Sequence, residues 1–104
     1  MVAEAWELHM DVRYYLDADT GQLHIYGHGV TETEVEEFLR GSGEDMPAAR
    51  NSRMKLGQRM AGRYLQVIYV PDDDPRSVFV ITAYELRDEA KRAFKRRRRK
   101  RRGL

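Results

Sequence analysis

Two apolar runs, Arg63–Val70 (RYLQVIYV) and Ser77–Tyr84 (SVFVITAY), are separated by only six residues. A parallel pair of strands needs a crossover of about a dozen residues or more, so two strands this close in sequence have to pair antiparallel. Pro71-Asp-Asp-Asp-Pro75 between them is a strand breaker followed by turn chemistry. Both runs are rich in Val, Ile, Tyr and Phe and nearly continuous in apolar character, which predicts central strands. Arg53–Met60 alternates polar and apolar residues in part, and Ala61-Gly62 supplies a tight turn into the first of the two runs. A third strand is therefore expected there.

The N-terminal half is mixed. Asp11–Leu16 is β-forming, Asp17-Ala-Asp-Thr-Gly21 is turn-forming, and Gln22–Tyr26 alternates again. These segments predict either a hairpin or a strand followed by a loop leading into a helix. The helix is better marked: Thr31 precedes Glu34 by the three residues of a capping box, and Val30 can staple onto Val35. Val35, Phe38 and Leu39 share one face, and Gly41-Ser-Gly43 ends the pattern, predicting a helix over 31–40. A last helix is expected from Leu86 or Arg87, with Leu86, Ala90, Ala93 and Phe94 as a narrow apolar stripe. The fold class is thus α+β: a compact antiparallel sheet of about four strands, one short helix and a basic C-terminal helix.

At 104 residues the chain suits one domain, expected over 11–94, with a weakly ordered segment at 1–10 (where Met10 offers a second start) and a basic tail at 95–104. The absence of cysteine excludes a disulfide scaffold and a cysteine-ligated zinc site. No apolar stretch approaches the ~20 residues of a membrane helix, and no signal pattern opens the chain, so membrane insertion is not expected and the default compartment is the cytoplasm. No pair of histidines has trustworthy metal-ligand spacing, and no cofactor is implied.

A net charge of +2 conceals a strong division. Residues 87–104 carry 11 Lys or Arg against 2 acids, whereas residues 1–86 carry 8 against 15. An acidic body with a basic tail points to a polyanionic partner. The cations Lys95, Arg96, Arg97, Arg98, Arg99, Lys100, Arg101 and Arg102 are consecutive and are expected to fray in isolation and order on a polyanion. The competing reading is a solvated tail, or one folded back on the acidic first helix (Glu32, Glu34, Glu36, Glu37).

His28-Gly-Val30 before an acidic helix, Gly62–Tyr69 on a strand and Val80–Glu85 before a basic helix resemble the BrnT-type toxin family, and equally a related group of uncharacterised small bacterial domains. The resemblance covers about residues 12–102. It implies a RelE/ParE-like fold and a type II toxin–antitoxin role, an RNA-cleaving toxin neutralised by a DNA-binding antitoxin, with RNA or the ribosome as partner. Gly27 stands where the family pattern has a basic residue, and Thr82-Ala83-Tyr84 where it often has Ser-Ala-Arg.

RNA cleavage by internal attack needs a base for the 2′-hydroxyl, a cation for the phosphate and an acid for the leaving oxygen. His28, Arg53, Lys55, Tyr84 and Glu85 are the candidate catalytic groups, and Arg63 joins the tail as an RNA-binding cation. Each has a plainer reading: His28 as a loop residue, Arg53 and Lys55 as charges guarding an edge strand, Tyr84 as a half-buried aromatic, and Glu85 as a residue favouring the start of the last helix. Two functions stand side by side, an endoribonuclease toxin and a non-catalytic nucleic-acid- or ribosome-binding module.

Overall fold

The computed structural model describes residues 11–59, 62–74 and 76–102, with side chains through residue 100. The expectations for 1–10, for the Met60-Ala61 part of the turn, for Pro75 and for the side chains of Arg101 and Arg102 lie outside the described residues. Five strands, β1 (Asp11–Tyr14), β2 (Glu44–Pro47), β3 (Arg53–Gln58), β4 (Tyr64–Pro71) and β5 (Ser77–Glu85), form one sheet in the order β1-β5-β4-β3-β2. Helices α1 (Glu32–Arg40) and α2 (Asp88–Arg102) complete an α+β fold.

The two apolar runs pair antiparallel at the centre of the sheet, from Leu65↔Glu85 to Pro71↔Val78. Their register shifts between Ile68 and Tyr69, where Ile68 faces Thr82 and Tyr69 faces Val80. Ile81 is the extra residue of that bulge, which is why Val80 and Ala83, three apart, both point into the core.

The sheet differs from the expected four antiparallel strands in two ways. First, β1 pairs parallel with β5, Asp11↔Ser77 through Tyr14↔Val80. Everything between these strands serves as the long connection that a parallel pair requires. Gln22–Tyr26 does not form a hairpin with β1: a single bridge joins Leu16 to Leu23, and His24–His28 winds into a 3-10 turn that Gly29 ends at φ 72°. The loop alternative holds there. Second, β2 adds a fifth strand on the edge beside β3. Its sequence, Glu-Asp-Met-Pro, is short and charged and closes on proline, which are edge-strand traits rather than strand-forming ones.

The capping box of α1 is present: Glu34 N–H donates to Thr31 Oγ1 at 3.3 Å, and Thr31 N–H donates to Glu34 Oε1 at 3.0 Å. Val35 and Phe38 sit with Ile25, Val30, Leu65, Val67, Val78, Val80 and Ala83 in the main core on one face of the sheet. On the opposite face, Phe94 of α2 packs with Leu56 and Leu86, flanked by Met46, Met54 and Tyr64. Full burial of a side chain this size stabilises by about 1.5–3 kcal/mol, so α2 is docked by its first half. The helix continues through the basic run to Arg102. Arg97 anchors that run by donating to both oxygens of Glu44 on β2, at 2.7–3.1 Å.

Candidate functional site

The basic residues divide by what they face. Arg59 and Arg63, at the β3–β4 turn, reach across to α1. Arg59 lies 3.4 Å from Glu34 and 3.2 Å from Glu37, and Arg63 lies 2.9 Å from Glu34 and 3.6 Å from Glu85. Arg63 also donates to the Gly29 carbonyl at 3.1 Å. Burial opposes ionisation of Glu34, but the Thr31 amide and the Arg63 guanidinium outweigh it and hold the carboxyl below its ordinary range. Arg63, expected to bind RNA, is thus engaged by the protein's own acids.

Arg53 and Lys55 do share one face of a strand, as their spacing requires, but that face is the one covered by α1. Lys55 is buried, and its ammonium donates to the Leu39 carbonyl at 3.1 Å and the Gly41 carbonyl at 2.6 Å. It closes the C-terminal end of α1, where the last carbonyls lack helical partners. Burial pushes its pKa down. Gly43 permits this approach, because a Cβ there would come within 2.8 Å of the Leu56 carbonyl oxygen and 3.0 Å of the Lys55 side chain. Arg53 donates to Asp45 at 2.7 Å, and that bond raises its pKa. Tyr69 donates to the same carboxylate, and burial first, then Asp45, pushes its phenol up to about 12. Neither cation is brought near Tyr84, which lies on the opposite face of the sheet, and β3 is interior rather than an edge.

His28, Tyr84 and Glu85, by contrast, do converge. With Gly27 and Arg87 they line a cleft of about 420 Å³ at the junction of β5 and α2. The His28 and Tyr84 rings lie 5.7 Å apart, and the Tyr84 hydroxyl accepts from Gln66 at 2.7 Å. Arg87 is exposed and has no carboxylate partner among the described residues. It supplies the cation that Arg53 and Lys55 do not. The spacing rules missed it because it sits between a strand and a helix; its place two residues after Glu85 was the available signal.

A separate group of cations gathers further along α2. Tyr64, Gln58, Lys95, Arg98 and Arg99 line a second cleft of about 430 Å³. Lys91 and Lys95 lie 5.1 Å and 5.2 Å from the Tyr64 ring centroid, and Phe94 meets the same ring edge-on at 6.0 Å. Arg98 also lines a neighbouring cleft of about 220 Å³ with Gly43, Glu44, Gly57 and Phe94. Within Lys95–Lys100 every residue is exposed, and Arg97 is the member with a carboxylate partner among the described residues. Within Lys95–Lys100 the tail is not folded onto α1, whose acids are taken on the other side of the sheet: Glu34 and Glu37 by arginines, Glu36 by the Tyr14 hydroxyl and Glu32 by that of Tyr26.

Among the described residues no group of three or more acidic or imidazole side chains is arranged to hold a metal ion, and no helix is long and apolar enough to cross a membrane. Comparison of the chain with protein-family models, with curated proteins and with solved structures finds no match.

Proposed function

We propose that this is a toxin-like RNA-binding protein that grips phosphates with α2. The observation that carries the reading is the set of exposed cations Lys95, Arg98 and Arg99 around Tyr64, a concave basic surface with one aromatic ring and little internal neutralisation. Cations without carboxylate partners are available to displace the counterions of a nucleic-acid backbone, which is where most such affinity originates. The fold itself, an α+β sheet in the order β1-β5-β4-β3-β2 with a helix on each face, agrees with the α+β class that the sequence resemblance implies, while the parallel β1 departs from an all-antiparallel sheet. A protein antitoxin that covers the basic surface belongs to the same proposal.

The cleft of His28, Tyr84, Glu85 and Arg87 carries groups suited to phosphodiester cleavage. His28 takes the proton of the 2′-hydroxyl as that oxygen bonds to phosphorus, and Arg87 holds the non-bridging oxygens as charge builds on them. Tyr84 donates its phenolic hydrogen toward the phosphate. The bond to the 5′-oxygen breaks, that oxygen takes up a proton from the imidazolium of His28 or from water, and a cyclic 2′,3′-phosphate and a free 5′-hydroxyl remain. Glu85 positions Arg63 rather than the substrate, since the two lie 3.6 Å apart. A non-catalytic module is the second reading, favoured by the commitment of Arg53, Lys55 and Arg63 to internal partners, which leaves Arg87 as the one cation lining this cleft among the described residues.

Purified protein incubated with unstructured RNA separates the two. Cyclic-phosphate ends that disappear in His28→Ala while binding persists support the ribonuclease; binding without product supports the module. Absence of RNA binding at physiological salt overturns both. Growth arrest on expression in a bacterial host without a partner is expected for the toxin.

A further inference from the structure

The surface beyond the cleft carries a feature that phosphate binding does not use. Tyr15, His24, His28 and Tyr84 form a continuous row of rings. Tyr15 meets His24 at 5.8 Å with planes 70° apart, His24 meets His28 at 5.0 Å and 80°, and His28 meets Tyr84 at 5.7 Å and 53°. Three separate segments supply these rings: the end of the β1 run, the 3-10 turn and the end of β5. Their alignment follows from the parallel pairing of β1 with β5, which Tyr15 extends by donating its N–H to the Val80 carbonyl at 2.9 Å. Tyr15 is 47% exposed and His28 is also exposed, so alternate rungs of the row face solvent.

Large exposed aromatic rings are not needed for this core, which is built from aliphatic residues and Phe38. The row is held in place by polar contacts at its sides instead. His24 Nδ1 lies 2.8 Å from Asp17 Oδ1, fixing the imidazole, and the Tyr84 hydroxyl is fixed by Gln66. Asp17 is the carboxylate in contact with a rung, and Glu85 at the cleft lies 3.6 Å from Arg63, which partly neutralises it. At its Tyr84 end the row opens into the cleft with Arg87. The Leu86 N–H, one residue before Arg87, bonds at 3.0 Å to the carbonyl of Tyr64, the residue at the centre of the basic cleft on α2. Rings and cations therefore meet at one strand–helix junction.

We infer that this row is a base-stacking ladder, and that the RNA bound by the chain is single-stranded; the inference rests on the RNA-binding proposal and narrows it. Bases in a duplex are stacked on one another at about 3.4 Å and hide their faces, whereas splayed bases of a single strand stack on aromatic side chains with little sequence preference. The rings touch one another edge to face or tilted, with centroids 5.0–5.8 Å apart, so no base enters between them; splayed bases stack instead on the solvent-facing side of the row, where Tyr15 is exposed. The cations of α2 then hold the backbone on one side of the junction while the ladder takes the bases on the other.

The test compares the full chain's affinity for an unstructured oligouridylate with its affinity for an RNA duplex of equal phosphate number. Tyr15→Ala is expected to weaken binding of the single strand by about fivefold to about 150-fold, the range for losing one base–aromatic stack, with little effect on the duplex. Tyr15→Phe keeps the ring and is expected to retain the affinity, and an unchanged thermal midpoint in both variants shows that the loop has not simply collapsed. Equal affinity for single strand and duplex, with Tyr15→Ala indistinguishable from the parent, overturns the ladder and leaves the rings for a protein contact, while the α2 proposal stands. Failure to bind either RNA overturns the proposed function itself and the ladder with it.

Discussion

Arg59 and Arg63, between α1 and the β3–β4 turn, face Glu34, Glu37 and Glu85, whereas Arg98 and Arg99 on α2 have no carboxylate partner among the described residues. The same residue type serves a structural tie in one region and an accessible surface charge in the other. A count of charges cannot separate these uses, because both regions contribute arginines to the same total. Position on the sheet separates them. Many of the body's carboxylates lie on α1 and at the sheet edge, where they meet Arg53, Arg59, Arg63, Tyr14, Tyr26 and Tyr69, and among the described residues Glu44 is the one paired with a cation of α2. The acidic body is thus largely self-neutralised, and the charge of α2 remains outward.

The largest effect expected of a single change lies at the joint between the two regions. Phe94→Ala removes the ring that docks α2 on Leu56 and Leu86, and chemical denaturation should show a loss of about 3–5 kcal/mol. A loss below about 1 kcal/mol would mean that α2 is not held by this contact and that the two regions are independent.

Lys55→Met sharpens the contrast between a structural and an accessible cation. It leaves the Leu39 and Gly41 carbonyls without their donor and is expected to cost about 1–3 kcal/mol of stability, with RNA affinity unchanged. Loss of affinity at unchanged stability would return Lys55 to the binding site. Smaller still is the acid response of the paired region. The Glu34 carboxyl is held below its unfolded value of about 4.3, so its contribution is complete above that pH and disappears as pH falls through the lowered folded pKa. Glu34→Gln should therefore shallow the acid limb of a stability–pH curve, and a superimposable limb would remove Glu34 from the account. Arg53→Ala, which breaks a solvent-screened pair with Asp45, should change stability least of these variants and leave RNA affinity intact, as denaturation and titration with RNA would show.

Much of the fold could be read from residue order. The short gap between the apolar runs forced the β4–β5 hairpin, and the Thr31–Glu34 spacing located α1 to within a residue. What could not be read depended on partners distant in sequence. The β1–β5 pairing joins segments more than sixty residues apart, and β2 exists because β3 offers it an edge, not because Glu-Asp-Met-Pro favours a strand. The site divides in the same way. His28, Tyr84 and Glu85 were legible as chemistry-bearing residues and do share a cleft, but nothing in the sequence showed that Arg53 and Lys55, equally suited to a phosphate, would lie away from it. Alternation fixes which residues share a face; it does not say which helix will cover that face. Lys55 lies under the end of α1, and two carbonyls take its charge.

The accessible charge of α2 is tested most directly by the salt dependence of RNA binding. For single-stranded RNA each neutralised phosphate contributes about −0.7 to the slope of log affinity against log salt, so engagement of the eight-residue run apart from Arg97 predicts a slope of about −5. Replacing Arg98 and Arg99 together with alanine should move that slope toward zero by about 1.4. A double variant with the parent's slope would contradict the account, because it would show that the cations lining the α2 clefts touch no phosphate.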